Sequence, residues 1–328
     1  MPEEMNPIRE KNLQRLSRFL FEQGSAIKPK MAEETGISTV TVNSLVKDLV
    51  KQSIFIEGEL IQQRFGRPAV EYHFNYDLAH YLLIIIEEVN GTTLLTHKIV
   101  NLNKQESRYG SLALDKLTKA DLLEKLKEVI HSANVPITSI GISIPGKIFQ
   151  GTLISSWKEE LNDWNIVEDL AKLTDAPIHV QNDAHLFTLG YSLNQDIMEG
   201  NTIVGVYYPP YSMPGVTILS DGQLIEGEKS LAGEAKFLPF LMDLKLPVSE
   251  ETFLKNLVNL VSIYNVVIAP KYFVIFAGEA SLSKLSHTLT QNETLLQQPN
   301  KPHFNFDDQV ADSIETGLFW LVSQEINF

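Results

Sequence analysis

The chain has 328 residues, 27 Lys and Arg against 41 Asp and Glu, a formal net charge of −14, and no cysteine. The lack of cysteine excludes disulfides and any zinc site built on thiolates. No stretch has the pattern of a signal peptide, and an apolar run such as Leu82 to Ile86 is far too short to span a bilayer, so a cytoplasmic protein without a membrane partner is expected. The charge is uneven: residues 1–75 carry 10 Lys and Arg and 10 Asp and Glu, which leaves 17 and 31 for the remainder. A neutral segment on an acidic body can still meet phosphate locally, with modest non-specific affinity.

In chain order, Ile8–Glu22 predicts a helix with Leu13, Leu16, Leu20 and Phe21 as its apolar positions. Lys28 to Lys47 reads as a short helix, a turn and a second helix, at the spacing of a DNA-reading helix-turn-helix. Ala32 is small where the helices cross, Gly36 supplies the positive φ that ends the first helix, and Ser38 is the N-cap of the second. Val42, Leu45 and Val46 face inward, which leaves Thr39, Thr41 and Asn43 outward as short polar groups suited to base edges. An ordinary pair of packed core helices is the bland alternative. Strands at Ile54–Ile56 and Val70–Phe74, around a polar tip from Glu57 to Arg67, would complete a winged helix-turn-helix. Arg67 is either a reader of a narrow A·T minor groove or a solvated loop arginine. Arg9, Lys11, Arg15, Lys28, Lys30, Lys47 and Lys51 are available to phosphates, or simply solvated.

From Leu78 onward the pattern becomes an alternation of strands and helices. Strands are expected at Tyr81–Glu87, Leu94–Leu102, Ile140–Ile144, Ile178–Val180, Ile203–Tyr208, Val216–Leu219 and Phe273–Phe276. Helices are expected at Lys116–Ser132, Ile166–Leu173, Ala184–Tyr191, Glu251–Ile263 and the carboxyl end. Gln291 to His303, polar and holding two prolines, reads as a loop. The eight histidines show no metal-ligand spacing, and Ser155-Ser156 lacks a nucleophile-elbow context. The fold class is α/β, a small reader followed by a two-lobed body.

An ordered set of motifs then resembles the ROK family of sugar kinases and transcriptional repressors. The set comprises the helix-turn-helix, the basic linker Arg64-Phe65-Gly66-Arg67-Pro68, Gly141-Ile142-Ser143-Ile144-Pro145-Gly146, Trp164-Asn165 and Gln181-Asn182-Asp183-Ala184. Asp221-Gly222-Gln223-Leu224, Leu231-Ala232-Gly233-Glu234 and Phe276-Ala277-Gly278-Glu279 follow in the family's order. The resemblance implies a two-lobed actin- or hexokinase-like (ribonuclease H-like) body. It also implies a sugar held by Asn182, Asp183 and Glu234, with Asp183 at the position of the catalytic base. A carboxylate accepts from hydroxyls or takes a proton, and a carboxamide both donates and accepts. Read without the family, Asp183 is instead the N-cap of the helix that follows.

Departures from the family pattern are informative. The first phosphate loop, Asp-x-Gly-x-Thr in the kinases, is Glu88-Val89-Asn90-Gly91-Thr92 here. The second reads Tyr208-Pro209-Pro210-Tyr211-Ser212-Met213-Pro214-Gly215, with bulky residues for glycines and prolines that remove amide donors. Gly233-Glu234-Ala235-Lys236-Phe237 lacks the family's zinc-binding histidine, and Phe237, which could stack on a sugar ring, is expected instead to close the core. The expectation is therefore a dimeric DNA-binding regulator, with no cofactor, no metal and no catalytic residue. Residues 1–75 would be the winged reader and linker, 76–195 the first lobe, and 196–328 a shortened second lobe. Double-stranded DNA would meet Ser38, Thr39, Thr41, Asn43, Lys47, Arg64 and Arg67, while a sugar or sugar phosphate would be the effector. The alternatives are a sugar kinase carrying a DNA reader, and a regulator whose body only dimerises.

Overall fold

Helix signals and strand signals in the first 75 residues alternate over very short distances, so each boundary depends on a cap or a turn. The computed structural model describes residues 7–62, 67–89, 91–114, 118–278 and 281–324. The chain divides into two compact units, one of residues 1–80 with 100–106 and 323–328, the other of residues 81–99 and 107–322.

In the first unit, α1 (Pro7–Gln23) opens on a proline, whose missing N–H is no loss in a first turn, and buries Leu16, Ser17 and Leu20. A short strand β1 (Ser25–Ile27) leads into α2 (Lys28–Thr35), which ends where Gly36 takes φ 66° and ψ 14°. The buried positions of α2 are Met31 and Thr35, while Ala32 is only half-buried. Helix α3 (Thr39–Lys51) is capped by Ser38, whose Oγ accepts from the Thr41 N–H at 3.2 Å. It buries Val42, Leu45, Val46 and Leu49, one stripe at helical spacing. An Arg9–Asp48 ion pair ties α1 to α3.

Strand β2 (Phe55–Ile61) pairs antiparallel with β3 (Ala69–Phe74), and β1 covers the other edge of β3. Strand β2 thus runs through much of the stretch expected as a polar tip. Phe74 meets the edge of Phe21 at 5.3 Å, and the Tyr76 hydroxyl donates to the Phe21 carbonyl at 2.6 Å.

The second unit holds two mixed five-stranded sheets. The first is built from β4 (His80–Val89), β5 (Thr92–Asn101), β6 (Glu106–Leu114), then α4 (Lys119–His131) and β7 (Ser139–Ile144). A small antiparallel sheet of β8 (Gly146–Phe149), β9 (Thr152–Ser156) and β10 (Trp164–Asn165) precedes α5 (Ile166–Leu170) and β11 (Ile178–Asn182). The order is β11-β7-β4-β5-β6, with β4, β7 and β11 parallel. Strand β7 is buried throughout, as a parallel central strand must be. One face of this sheet carries Leu82, Ile84, Ile86, Ile140, Ile142 and Ile144 against Leu122 and Leu126 of α4.

Helix α6 (Asp183–Asn194) follows β11 directly and leads to the second sheet. That sheet comprises β12 (Thr202–Tyr207), β13 (Gly215–Ser220), β14 (Gln223–Leu224), β15 (Tyr272–Phe276) and β16 (His303–Phe306), in the order β14-β13-β12-β15-β16. Its helices are α7 (Glu250–Val267), α8 (Leu282–Thr290), α9 (Glu293–Gln297) and the terminal α10 (Val310–Ser323). Val204, Val206, Phe273 and Ile275 pack there against Leu257 and Leu260 of α7. Helices α6 and α10 approach with almost no side-chain separation: a Cβ at Gly190 would lie 1.7 Å from the Ser313 carbonyl oxygen.

Several elements differ from expectation. The polar run from Gln291 is not simply a loop, because Asn292 caps α9 by accepting from the Thr294 and Leu295 amides. Its polarity is that of a helix cap. Strand β6, the β8–β9–β10 sheet and α8 carry weak alternation or short apolar runs, and were not foreseen. The helix expected from Lys116 begins at Lys119, capped by Thr118, and residues 115–117 lie outside the described ones. Among the described residues no helix is long and apolar enough to cross a membrane.

Candidate functional site

Two places in the molecule gather the residues singled out above. The first is the outer side of α3. Ser38, Thr39, Asn43, Ser44 and Lys47 are exposed there, and Thr41 is half-buried. The reason is the cap: Ser38 Oγ and Thr41 Oγ1 lie 2.8 Å apart in a mutual hydrogen bond, which turns Thr41 toward the preceding turn. Val40 is 81% exposed, and it lies on the same side as Ser44 and Lys47. Neither Val40 nor Ser44 stood out in the sequence, where a valine reads as core. Arg67 is exposed, and Arg64 lies outside the described residues.

The second place is a largely buried polar cluster within the second unit, near the carboxyl ends of β4 and β11. There β4 carries Glu87 two residues before its end, β8 places Lys147, and the amino end of α6 places Asn182, Asp183 and His185. Asn182, rather than Asp183, is the N-cap of α6: its Oδ1 accepts from the His185 N–H at 3.3 Å. Its Nδ2 donates to the Gly146 carbonyl at 2.8 Å, and the residue is 6% exposed. Both arms of the amide are thus used inside the protein. Asp183 is the first helical residue, and its Oδ1 accepts from the Ala184 N–H at 2.8 Å.

Lys147 is the unforeseen member. It is 3% exposed, and its Nζ reaches the Ala232 carbonyl at 2.9 Å and His185 Nε2 at 3.0 Å. His185 Nδ1 in turn lies 3.1 Å from Gln181 Oε1. Because Lys147 only donates, His185 must accept at Nε2 and donate from Nδ1, which makes it a neutral imidazole. Burial, reinforced by the Lys147 charge, holds His185 well below its ordinary range. Burial lowers Lys147 as well, against the pull of Glu234 and Asp183.

Burial pushes Asp183 up to about 6, in spite of the Ala184 amide and the Lys147 ammonium. Glu87 is raised by burial too, and the Tyr207 hydroxyl is held well above its usual range, first by burial and then by the Asp183 and Glu87 carboxyls. Glu234 lies on the segment after β14, 4.0 Å from Lys236, which donates to Ser155 Oγ at 2.6 Å. Phe237, expected to close the core, is 61% exposed, because the short turn at Ala235–Phe237 buries Ala235 instead.

The two stretches matching phosphate loops also have partners. Glu88 pairs with Lys158 at 2.9 Å, and Asn90 lies outside the described residues. Tyr208 is fully buried against Phe253, with ring centroids 4.3 Å apart, and Pro210 sits on the turn at Gly278, where a Cβ would come within 3.0 Å of its ring. Among the described residues no three His, Asp or Glu side chains are grouped to hold a metal ion.

Two mixed five-stranded sheets, each built around parallel strands and covered by helices, form an α/β sugar-kinase-like fold. Residues 85–239 match the model of the ROK family, and the chain carries a ROK-family domain. It is 22% identical over 245 residues to a protein named xylose repressor from Bacillus spizizenii, and 22% identical over 237 residues to the protein of that name from Bacillus subtilis. Each match covers 69% of this chain, and the chain spans about 60% of the length of these curated relatives.

A solved ROK family transcriptional regulator, described as a homolog of the Escherichia coli MLC protein, superposes with a TM-score of 0.62 at 16% identity. The superposition covers 96% of this chain and 99% of that one. A ROK family glucokinase from Streptomyces griseus, in complex with glucose and AMPPNP, gives 0.58 at 11% identity, over 75% of this chain and 100% of that one. At such identities these structures speak for the fold alone.

Proposed function

We propose that this chain is a DNA-binding transcription regulator, a repressor of a carbohydrate-related operon. Residues 1–75 act as a winged helix-turn-helix with its linker, and residues 76–195 and 196–328 form the two lobes of a ROK body that dimerises. The observation that carries the reading is the exposed side of α3: Thr39, Asn43 and Lys47 project from a helix whose other side is locked into the unit's core. A helix held proud in this way fits a major groove, with Ser38, Thr41, Arg64 and Arg67 contributing at its margins. Two copies, related by two-fold symmetry, would read a roughly palindromic operator.

The body is proposed to sense a sugar or sugar phosphate through Asp183 and Glu234, with Asn182 holding the turn between them and Gly146. Because two curated relatives are named xylose repressor, a pentose is the first ligand to test. Ligand binding would shift the lobes and thereby the spacing or mobility of the two readers. Phosphoryl transfer is not proposed. It depends on cradling and neutralising the nucleotide phosphates, and here Glu88 is engaged by Lys158 while Pro210 occupies the glycine turn.

A second reading, in which the body is only a dimerisation scaffold, is favoured by one observation: both arms of the Asn182 amide are consumed inside the fold. Calorimetry with hexoses, pentoses, amino sugars and their phosphates separates the two. Heat that disappears in Asp183→Ala supports sensing, and none at millimolar sugar leaves the scaffold. Light scattering at DNA-binding concentrations tests the dimer, and a monomer there removes it.

A further inference from the structure

Val40 stands at the amino end of α3 with 81% of its surface in water, more than any other exposed large apolar residue among the described ones. Helical rotation of about 100° per residue places it on one line with Ser44, Lys47 and Lys51, with Asn43 beside them. All of these are exposed, whereas Thr39 and Thr41 lie to either flank. Val40 is therefore the centre of the outward stripe at its leading turn. The rest of that stripe is polar or basic, and the one acidic residue of α3, Asp48, is paired with Arg9. The chemistry suits a polyanion at the stripe's far end and an apolar contact at its near end.

We propose that Val40 is a base-reading residue that seats against the 5-methyl group of thymine. The inference rests on α3 being the recognition helix, and it adds which base the first turn selects. In the major groove the thymine methyl is the one apolar feature a base edge presents. Cytosine at that position would put an amino donor against a side chain with no acceptor, and leave it unpaired. The amino-terminal turn of a recognition helix is the part that comes closest to base edges, and that is where Val40 sits. Apolar surface left in water at this point gains its stabilisation only on docking.

The test removes the methyl and nothing else. Duplexes are enriched from a random-sequence pool with the full chain, and each thymine of the enriched sequence is then exchanged singly for uracil. The expected result is one thymine in each half of the site whose exchange weakens binding about four-fold, the worth of one buried methyl. Val40→Ala should keep the parent's melting temperature, bind the thymine duplex more weakly, and no longer distinguish it from the uracil duplex. If no sequence is enriched, the DNA reading and this assignment fall together. If a sequence is enriched but uracil is felt nowhere, or equally by parent and Val40→Ala, the DNA reading stands and the thymine assignment is overturned. Val40→Ala binding as well as the parent likewise overturns it, and points to a protein contact for Val40.

Discussion

Lys147 Nζ lies 3.0 Å from His185 Nε2, a buried cation donating to a neutral imidazole. The same ammonium holds the carbonyl of Ala232, so one side chain joins β8, α6 and the segment after β14. It is the fixed positive charge among Asp183, Glu234 and Glu226. The carboxyl cluster therefore has its own counter-ion within the fold.

That relationship predicts the behaviour of Lys147→Ala. Lys147 draws the Asp183 carboxyl down from where burial alone would put it, so its loss should raise Asp183 above about 6. A carboxyl-carbon titration by NMR reads this directly. An unchanged Asp183 midpoint would mean that the cation does not act on it.

Asp183 also sets a pH dependence of stability. Its folded carboxyl, at about 6, binds a proton more tightly than an unfolded one. The group therefore favours the folded state at pH near or below its ordinary value of about 4, and this advantage is lost as pH rises through about 6. Asp183→Asn should accordingly stabilise the protein at pH 8, by about 1–3 kcal/mol, and have little effect at pH 4. Denaturant midpoints at the two pH values check it, and an equal effect at both would remove the linkage.

On α3, Asn43→Ala should weaken specific DNA binding by about 1–3 kcal/mol. Thr41→Ala should have a smaller effect, since Thr41 is half-buried and bonded to Ser38. Lys47→Ala should weaken all sequences alike and lower the salt slope by about one. Titrations at several salt concentrations separate the two behaviours, and a sequence-dependent effect of Lys47 would reverse its assignment to phosphate.

Sugar-dependent ATP turnover should be absent, although Asp183 stands at the position of the family's base. A coupled assay with the sugars used for calorimetry is sufficient. Turnover that vanishes in Asp183→Ala would establish a kinase and end the regulator-only reading of the body.

Much of the architecture was legible from local signals. Gly36 and Ser38 mark a turn through backbone freedom and side-chain capping, which act over three or four residues and survive in any context. The strands β4 and β7 declare themselves as apolar runs because both faces are covered. Short elements such as β10 and α9 have too few residues for a period to emerge. The motif order pointed to the ROK family without any coordinates.

The sequence by itself determined which segments would be helix, turn or strand where caps, glycines and apolar periodicity agree, and it marked Asn182-Asp183 as the head of a helix. Only the tertiary structure decided which of the two is the cap, that Lys147 joins the same polar cluster from a strand 36 positions earlier than Asp183, and that Val40 faces water while Val42 is core. The physical reason is range. Capping and periodicity are interactions between near neighbours in the chain, whereas burial, charge pairing and the displacement of a carboxyl's proton affinity depend on what the rest of the fold brings within a few ångströms.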